Sequence, residues 1–133
     1  MIDRTVKMYK YWKVMVHENQ EYLGRCIVWC LREEAQDLTE ATKEEQEELF
    51  LILKEIKKAL EKSFNSDWMN YSFLSNGYKH LHGHIVPRYQ AERNFAGKTF
   101  TDKRWGYNWQ LDESFETSLE TLEEIKNKII SNL

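Results

Sequence analysis

The run His80-Leu81-His82-Gly83-His84-Ile85-Val86 carries an imidazole at every second position, and this spacing constrains the chain more than any other feature in it. A period of two belongs to a β-strand, so the three rings fall on one face and Leu81, Gly83 and Ile85 on the other. The whole chain has 4 histidines in 133 residues, and three of them within five positions form a site rather than scatter. Pro87 lacks an amide hydrogen and is expected at that strand's edge or end.

Two further strands are expected upstream. Trp12, Val14 and Val16 alternate with Lys13, Met15 and His17, Cys26 to Leu31 is almost continuously apolar, and Glu18-Asn19-Gln20-Glu21 reads as the turn between them. Leu49, Phe50, Ile52, Leu53, Ile56, Leu60 and Phe64 then recur at helical intervals, and Thr42 with Glu45 makes a capping box at the start of that helix. Asn70 to Tyr89 returns to extended character, with Asn76-Gly77 expected as a tight hairpin turn before the histidine strand. Gln90 to Trp109 reads as irregular, and Leu119, Leu122, Ile125 and Ile129 mark a terminal helix.

A hydrophobic fraction of 41% and an aromatic fraction of 14% supply a core without disulfides, so residues 1–133 read as a single domain. The net charge of -3, with no basic block, argues against general nucleic-acid binding, yet a pocket for one small anion needs only a few donors. Cys26 and Cys30 lie four apart on one strand face, about 13 Å from each other, which is too far for a disulfide. They read as buried thiols of a reducing compartment. With no signal-like start and no apolar run long enough for a membrane span, a cytoplasmic location is expected.

Two chemistries use such a row of rings. An imidazole with one nitrogen unprotonated and the other held by an acceptor is a nucleophile toward phosphorus. Alternatively, His-x-His on a strand offers convergent nitrogens to a metal. A catalytic metal normally takes a third ligand and often a carboxylate base, and no Asp or Glu lies between Asp67 and Glu92.

The sequence from His80 to Arg88 resembles the signature of the histidine-triad (HIT) family, His-φ-His-φ-His-φ-φ with φ apolar, commonly followed by Pro-Arg. It fits at every position except Gly83. The resemblance extends through Tyr22-Leu23-Gly24-Arg25, the strand to Arg32, the long helix, and Asn70-Tyr71 with Leu74 and Asn76. It covers residues 10–90, and the tail at 91–133 matches only loosely. It implies an α+β fold, with an antiparallel sheet of about five strands, the long helix packed on one face, and a C-terminal helix.

The resemblance also implies a nucleotide-binding hydrolase that cleaves at the α-phosphorus of a dinucleoside polyphosphate, such as diadenosine tetraphosphate, or of a related conjugate. His82 would be the nucleophile, forming a nucleotidyl-histidine, with His80 and His84 flanking it. A nucleoside phosphoramidase or a nucleotidyltransferase would share the first step, and a nucleotide-binding sensor with weak catalysis is the rival of another class. No cofactor is required of the protein, although Mg²⁺ can arrive with the nucleotide, and a homodimer is the expected assembly.

Asn76 matches the amide that relatives aim at the scissile phosphate, and the phosphate loop after it is reduced to Gly77-Tyr78-Lys79. Lys79 or Arg25 could replace the lost donors. His17 stands where relatives hold the ribose with an acidic or amide side chain, though on its own pattern it reads as a surface residue. Arg25 replaces a further family histidine; it reads as a phosphate ligand that favours a longer polyphosphate, or as a solvated edge. Trp105, Gly106, Tyr107, Asn108 and Trp109 read as core or dimer packing, with base stacking as the other reading.

Overall fold

Short alternating segments give the chain its sheet. In the computed structural model, which describes residues 2–133, β1 (Thr5–Met8), β2 (Trp12–Val16), β3 (Cys26–Cys30), β4 (Trp68–Ser72) and β5 (His82–Arg88) pair antiparallel in the order β1-β2-β3-β5-β4. Trp12, Val14 and Val16 of β2 are fully buried, as are Cys26, Val28 and Cys30 of β3, while the residues between them are not. A period of two therefore separates a core face from an open face.

The core face is covered by α1 (Lys43–Phe64) and α2 (Leu119–Ser131), which pack on β2 and on each other. The expected capping box starts α1: Thr42 Oγ accepts the Glu45 amide at 3.1 Å, and Glu45 accepts the Thr42 amide at 2.9 Å. Leu49, Ile52, Ile56, Leu60 and Phe64 form its buried stripe, and Leu122, Ile125 and Ile129 that of α2. Each such side chain contributes about 1.5–3 kcal/mol on burial. Gly24, at φ +89, closes the turn into β3 where α1 comes nearest; a Cβ there would lie 2.9 Å from Leu60 and 3.0 Å from Phe64.

Two local expectations are corrected and one element is added. The segment Thr5–Met8 is a strand, missed because only Val6 of its four residues is buried, so no alternation marks it. Residues 90–109 are not wholly irregular: β6 (Arg93–Phe95) and β7 (Lys98–Phe100) form a small hairpin turned at Ala96-Gly97. Asn76-Gly77 is not a tight hairpin turn either. The β4–β5 connection spans residues 73–81, its positive φ falls at Ser75, and Phe73 folds back under the sheet.

Phe73 also accounts for Gly83. A Cβ at Gly83 would meet the Phe73 ring at 2.4 Å, so this ring fills the space that an apolar side chain would take in the family pattern. Among the described residues, no helix is long and apolar enough to cross a membrane.

Candidate active site

Both helices lie on one face, which leaves the histidine face of the sheet free of them. Register builds the site: His82 stands opposite Trp29, and His84 opposite both Ile27 and Ser72. The His82 and His84 rings are 5.5 Å apart and nearly perpendicular, as expected for alternate residues of one strand. His80 lies just before β5, and its ring stacks on Trp29 at 4.2 Å.

Hydrogen bonds fix which ring nitrogens carry protons. His82 Nδ1 lies 2.7 Å from the His80 carbonyl oxygen; a carbonyl only accepts, so Nδ1–H donates and the Nε2 lone pair is left available. The same carbonyl accepts from Ser75 Oγ at 2.8 Å, which holds the loop against the site. His80 in turn donates Nε2–H to the Cys30 carbonyl at 2.6 Å. A backbone acceptor behind the ring is what a nucleophilic imidazole needs, since it orients the lone pair and stabilises the cation formed when Nε2 gains a bond.

His84 and His17 face a different neighbour. Arg25 sends Nη2 to His84 Nδ1 at 3.3 Å and Nη1 to His17 Nδ1 at 3.2 Å. The Asn19 amide also donates to His17 Nδ1, at 3.0 Å. Both Nδ1 atoms are therefore acceptors, which keeps the rings neutral. Burial, and after it the charge of Arg25, bring His84 down to about 4 and His17 down to about 3. Arg25 itself is only 3% exposed, so it is not a solvated edge.

The tail completes this wall. Trp109 lies under the Arg25 guanidinium, 5.0 Å from Cζ, and 5.5 Å from the His84 ring, with its Nε1–H donated to Ser72 Oγ at 3.0 Å. What holds the segment before it is Arg88, whose guanidinium bonds Asp102, Asn70, and the carbonyls of Arg104 and Tyr107. The Pro-Arg that follows the histidines thus serves as an anchor for the chain that carries Trp109.

The remaining site residues expected from sequence are less engaged. Asn76, Gly77 and Lys79 are exposed on the 73–81 loop, and the side chains of Asn76 and Lys79 have no hydrogen-bond partner among the described residues, although Tyr78 between them packs on Trp29 at 5.4 Å. Trp29 and Ser75 also belong to the site and were not expected there, while Trp109, in the segment read as packing or base stacking, stands in its wall. Trp29 could have been found from its place two residues after Ile27, on the same face of that strand; Ser75 had no signal in the sequence.

Two clefts lie near this face of the sheet, and neither is lined by His80, His82 or His84. One of about 560 Å³ has His17, Leu111 and Phe115 in its wall together with the carboxylates Glu18, Glu113 and Glu116. A larger one, about 1120 Å³, runs along β4 past Ser72, Tyr71, Trp105 and Trp109 and does not include the histidines. Among the described residues, no group of three or more His, Cys, Asp or Glu side chains is disposed to hold a metal ion.

Comparison with known proteins bears on this arrangement. Residues 8–91 match the model of the HIT domain. In fold, the chain is similar to a hypothetical histidine triad nucleotide-binding protein from Sulfolobus tokodaii, with TM-score 0.76 and 16% identity over 99% of this chain and 84% of that one. It is also similar to a HIT-like protein involved in cell-cycle regulation from Bartonella henselae, with TM-score 0.75 and 21% identity over 100% of this chain and 88% of that one. A third is Plasmodium falciparum diadenosine triphosphate hydrolase, at TM-score 0.69 and 18% identity over 98% of this chain and 77% of that one. At these identities the likeness is one of fold. No curated protein sequence matches the chain.

Proposed function

The chain belongs to the histidine-triad family, and from that premise we propose that it is a nucleotide-binding hydrolase that cleaves dinucleoside polyphosphates at the α-phosphorus through a nucleotidyl-histidine on His82. The observation that carries this reading is the Nδ1–H of His82 donated to the His80 carbonyl, which leaves the Nε2 lone pair free on the sheet face away from the helices. Nε2 attacks in line as the bond to the leaving phosphate breaks, and water then releases the mononucleotide from the ring. His84, 5.5 Å from His82 on the same strand face, is the neighbouring donor for an equatorial oxygen of the attacked phosphorus, where charged or polar donors lower the barrier; loss of one such donor costs about 10²–10³ in rate.

The substrate class draws on the fold likeness to a diadenosine triphosphate hydrolase and on the neighbouring cleft. The cleft beside His17 offers a base the apolar walls of Leu111, Phe115 and Leu119, and its carboxylates Glu18, Glu113 and Glu116 suit it to sugar hydroxyls rather than phosphate, His17 being the side chain that meets the ribose. Mg²⁺ enters with the nucleotide and the protein contributes no cofactor. The enzyme acts in the cytoplasm as a homodimer. In support of the dimer, β4 is an outer strand with Trp68 and Tyr71 exposed, and α1 leaves Phe50 and Leu51 exposed.

Incubation with diadenosine triphosphate and diadenosine tetraphosphate, with products separated by chromatography, tests the reading. AMP and the complementary nucleotide are expected, with turnover abolished in His82→Ala and His82→Asn while nucleotide binding persists. Binding without turnover by the wild-type protein would instead make it a sensor. Activity lost to a chelator of tightly bound metal and restored by zinc would favour a metal-dependent hydrolase.

A further inference from the structure

Arg25 is a buried cation with unusual partners. Among the described residues, no carboxylate stands within ion-pair distance of it. Its two terminal nitrogens meet the Nδ1 atoms of His17 and His84, its face lies on Trp109, and its Nε–H is buried without a partner. Burial pushes it down to about 10, so it remains charged at neutral pH. A desolvated charge of this kind is costly unless an anion joins it.

We propose that Arg25 determines which leaving group the site accepts: one that departs as a phosphate anion is turned over, and one that must gain a proton to depart, an amine, is not. This rests on His82 being the nucleophile, as argued above. With a polyphosphate, the P–Nε2 bond forms as the bridging P–O bond breaks, and the electron pair stays on the departing phosphate oxygen. No proton has to move, and Arg25 pairs the new charge. With a phosphoramidate, the P–N bond breaks and the electron pair on nitrogen must take up a proton for the amine to leave. His84 is the neighbouring ring on the strand, and the bond from Arg25 occupies its Nδ1 lone pair. Its Nε2–H can donate a hydrogen bond to a phosphate oxygen, but the ring is not an imidazolium acid.

The charged and titratable groups around His84 act in the same sense. His82 lies on its own strand and Arg25 at the entry to β3, while His17 at the end of β2 faces both Arg25 and the nearby Arg4. Glu21, the carboxylate that acts on Arg25, does so from beyond ion-pair distance and accepts the Asp112 amide at 2.8 Å.

Steady-state kcat/KM for diadenosine triphosphate and for an adenosine 5′-phosphoramidate of an alkylamine tests this, with wild type, Arg25→Gln and Arg25→Lys. Wild type is expected to favour the triphosphate by at least ~10²-fold, Arg25→Gln to lose ~10²-fold or more on the triphosphate and at most about tenfold on the phosphoramidate. Arg25→Lys keeps the charge and is expected to retain most of the preference. An equal loss on both substrates overturns the inference while leaving the hydrolase reading intact; no turnover of either substrate by wild type overturns both. A second measurement needs no variant: NMR titration of the imidazole protons should find the His84 ring neutral down to about pH 5, and a ring that titrates at its ordinary value overturns the inference.

Discussion

Arg88 grips Asp102 with two hydrogen bonds, Nε to Oδ2 at 2.7 Å and Nη2 to Oδ1 at 3.1 Å, in a pair almost wholly removed from solvent. This contact joins the end of the histidine strand to the segment that carries Trp109 into the site. Asp102→Asn leaves the guanidinium buried without its counter-charge, and a loss of about 3–5 kcal/mol is expected from urea unfolding. Turnover should fall with it, because Trp109 loses the tether that sets it beside Arg25 and His84. Stability unchanged by the substitution would show that the strap is held elsewhere.

Gly83 and Phe73 form a second testable pair. Gly83→Ala forces a methyl against the Phe73 ring and is expected to cost about 1–3 kcal/mol. Phe73→Leu alone should also destabilise, by opening space, whereas the double variant should recover part of the loss. A double-mutant cycle by chemical denaturation checks this, and strictly additive effects would contradict the contact.

Stability should depend on pH through His17 and His84. Burial and Arg25 lower both in the folded chain, to about 3 and about 4, from an ordinary value of 6.5. The unfolded chain then binds protons more readily. The stabilisation is fully present above 6.5 and is lost as pH falls from there toward the folded values. The urea midpoint of the wild type is expected to drop between about pH 7 and about pH 5, and that of the double variant His17→Gln, His84→Gln to drop less. Identical slopes would mean that neither ring is held neutral.

Assembly is tested at the outer strand. Trp68→Lys on β4 together with Leu51→Glu on α1 introduces charges on two exposed apolar faces. Sedimentation velocity should give a dimer for wild type and a monomer for this variant. A monomeric wild type would contradict the proposed dimer.

The parts that were legible in the sequence are those with a period. The alternation in β2, the stripe and cap of α1, and the histidine row each repeat often enough for their buried and open faces to be read directly, whereas the almost continuously apolar run of β3 marked a strand without telling its two faces apart. β1 was not legible because Val6 is its only buried residue, and the 73–81 loop defied the Asn-Gly signal because Phe73 packs under Gly83 and Ser75 bonds His80. The site was legible at its histidine row and less so at its walls. Trp109 reaches His84 through a strap anchored 16 to 19 residues from Arg88 at the Arg104 and Tyr107 carbonyls, contacts that no local pattern encodes. Arg25 and His17 were visible only as departures from a family pattern, and their mutual bond appears only once β2 and β3 are paired.

The central claim is the covalent step at His82. Wild-type protein mixed with a dinucleoside polyphosphate, quenched within one turnover under alkaline conditions that preserve phosphohistidine, and digested for mass spectrometry should yield the peptide containing His82 with the added mass of one nucleotidyl group. The adduct should be absent from His82→Asn. Product formed with no adduct at any time before steady state, or an adduct on another residue, would contradict the account.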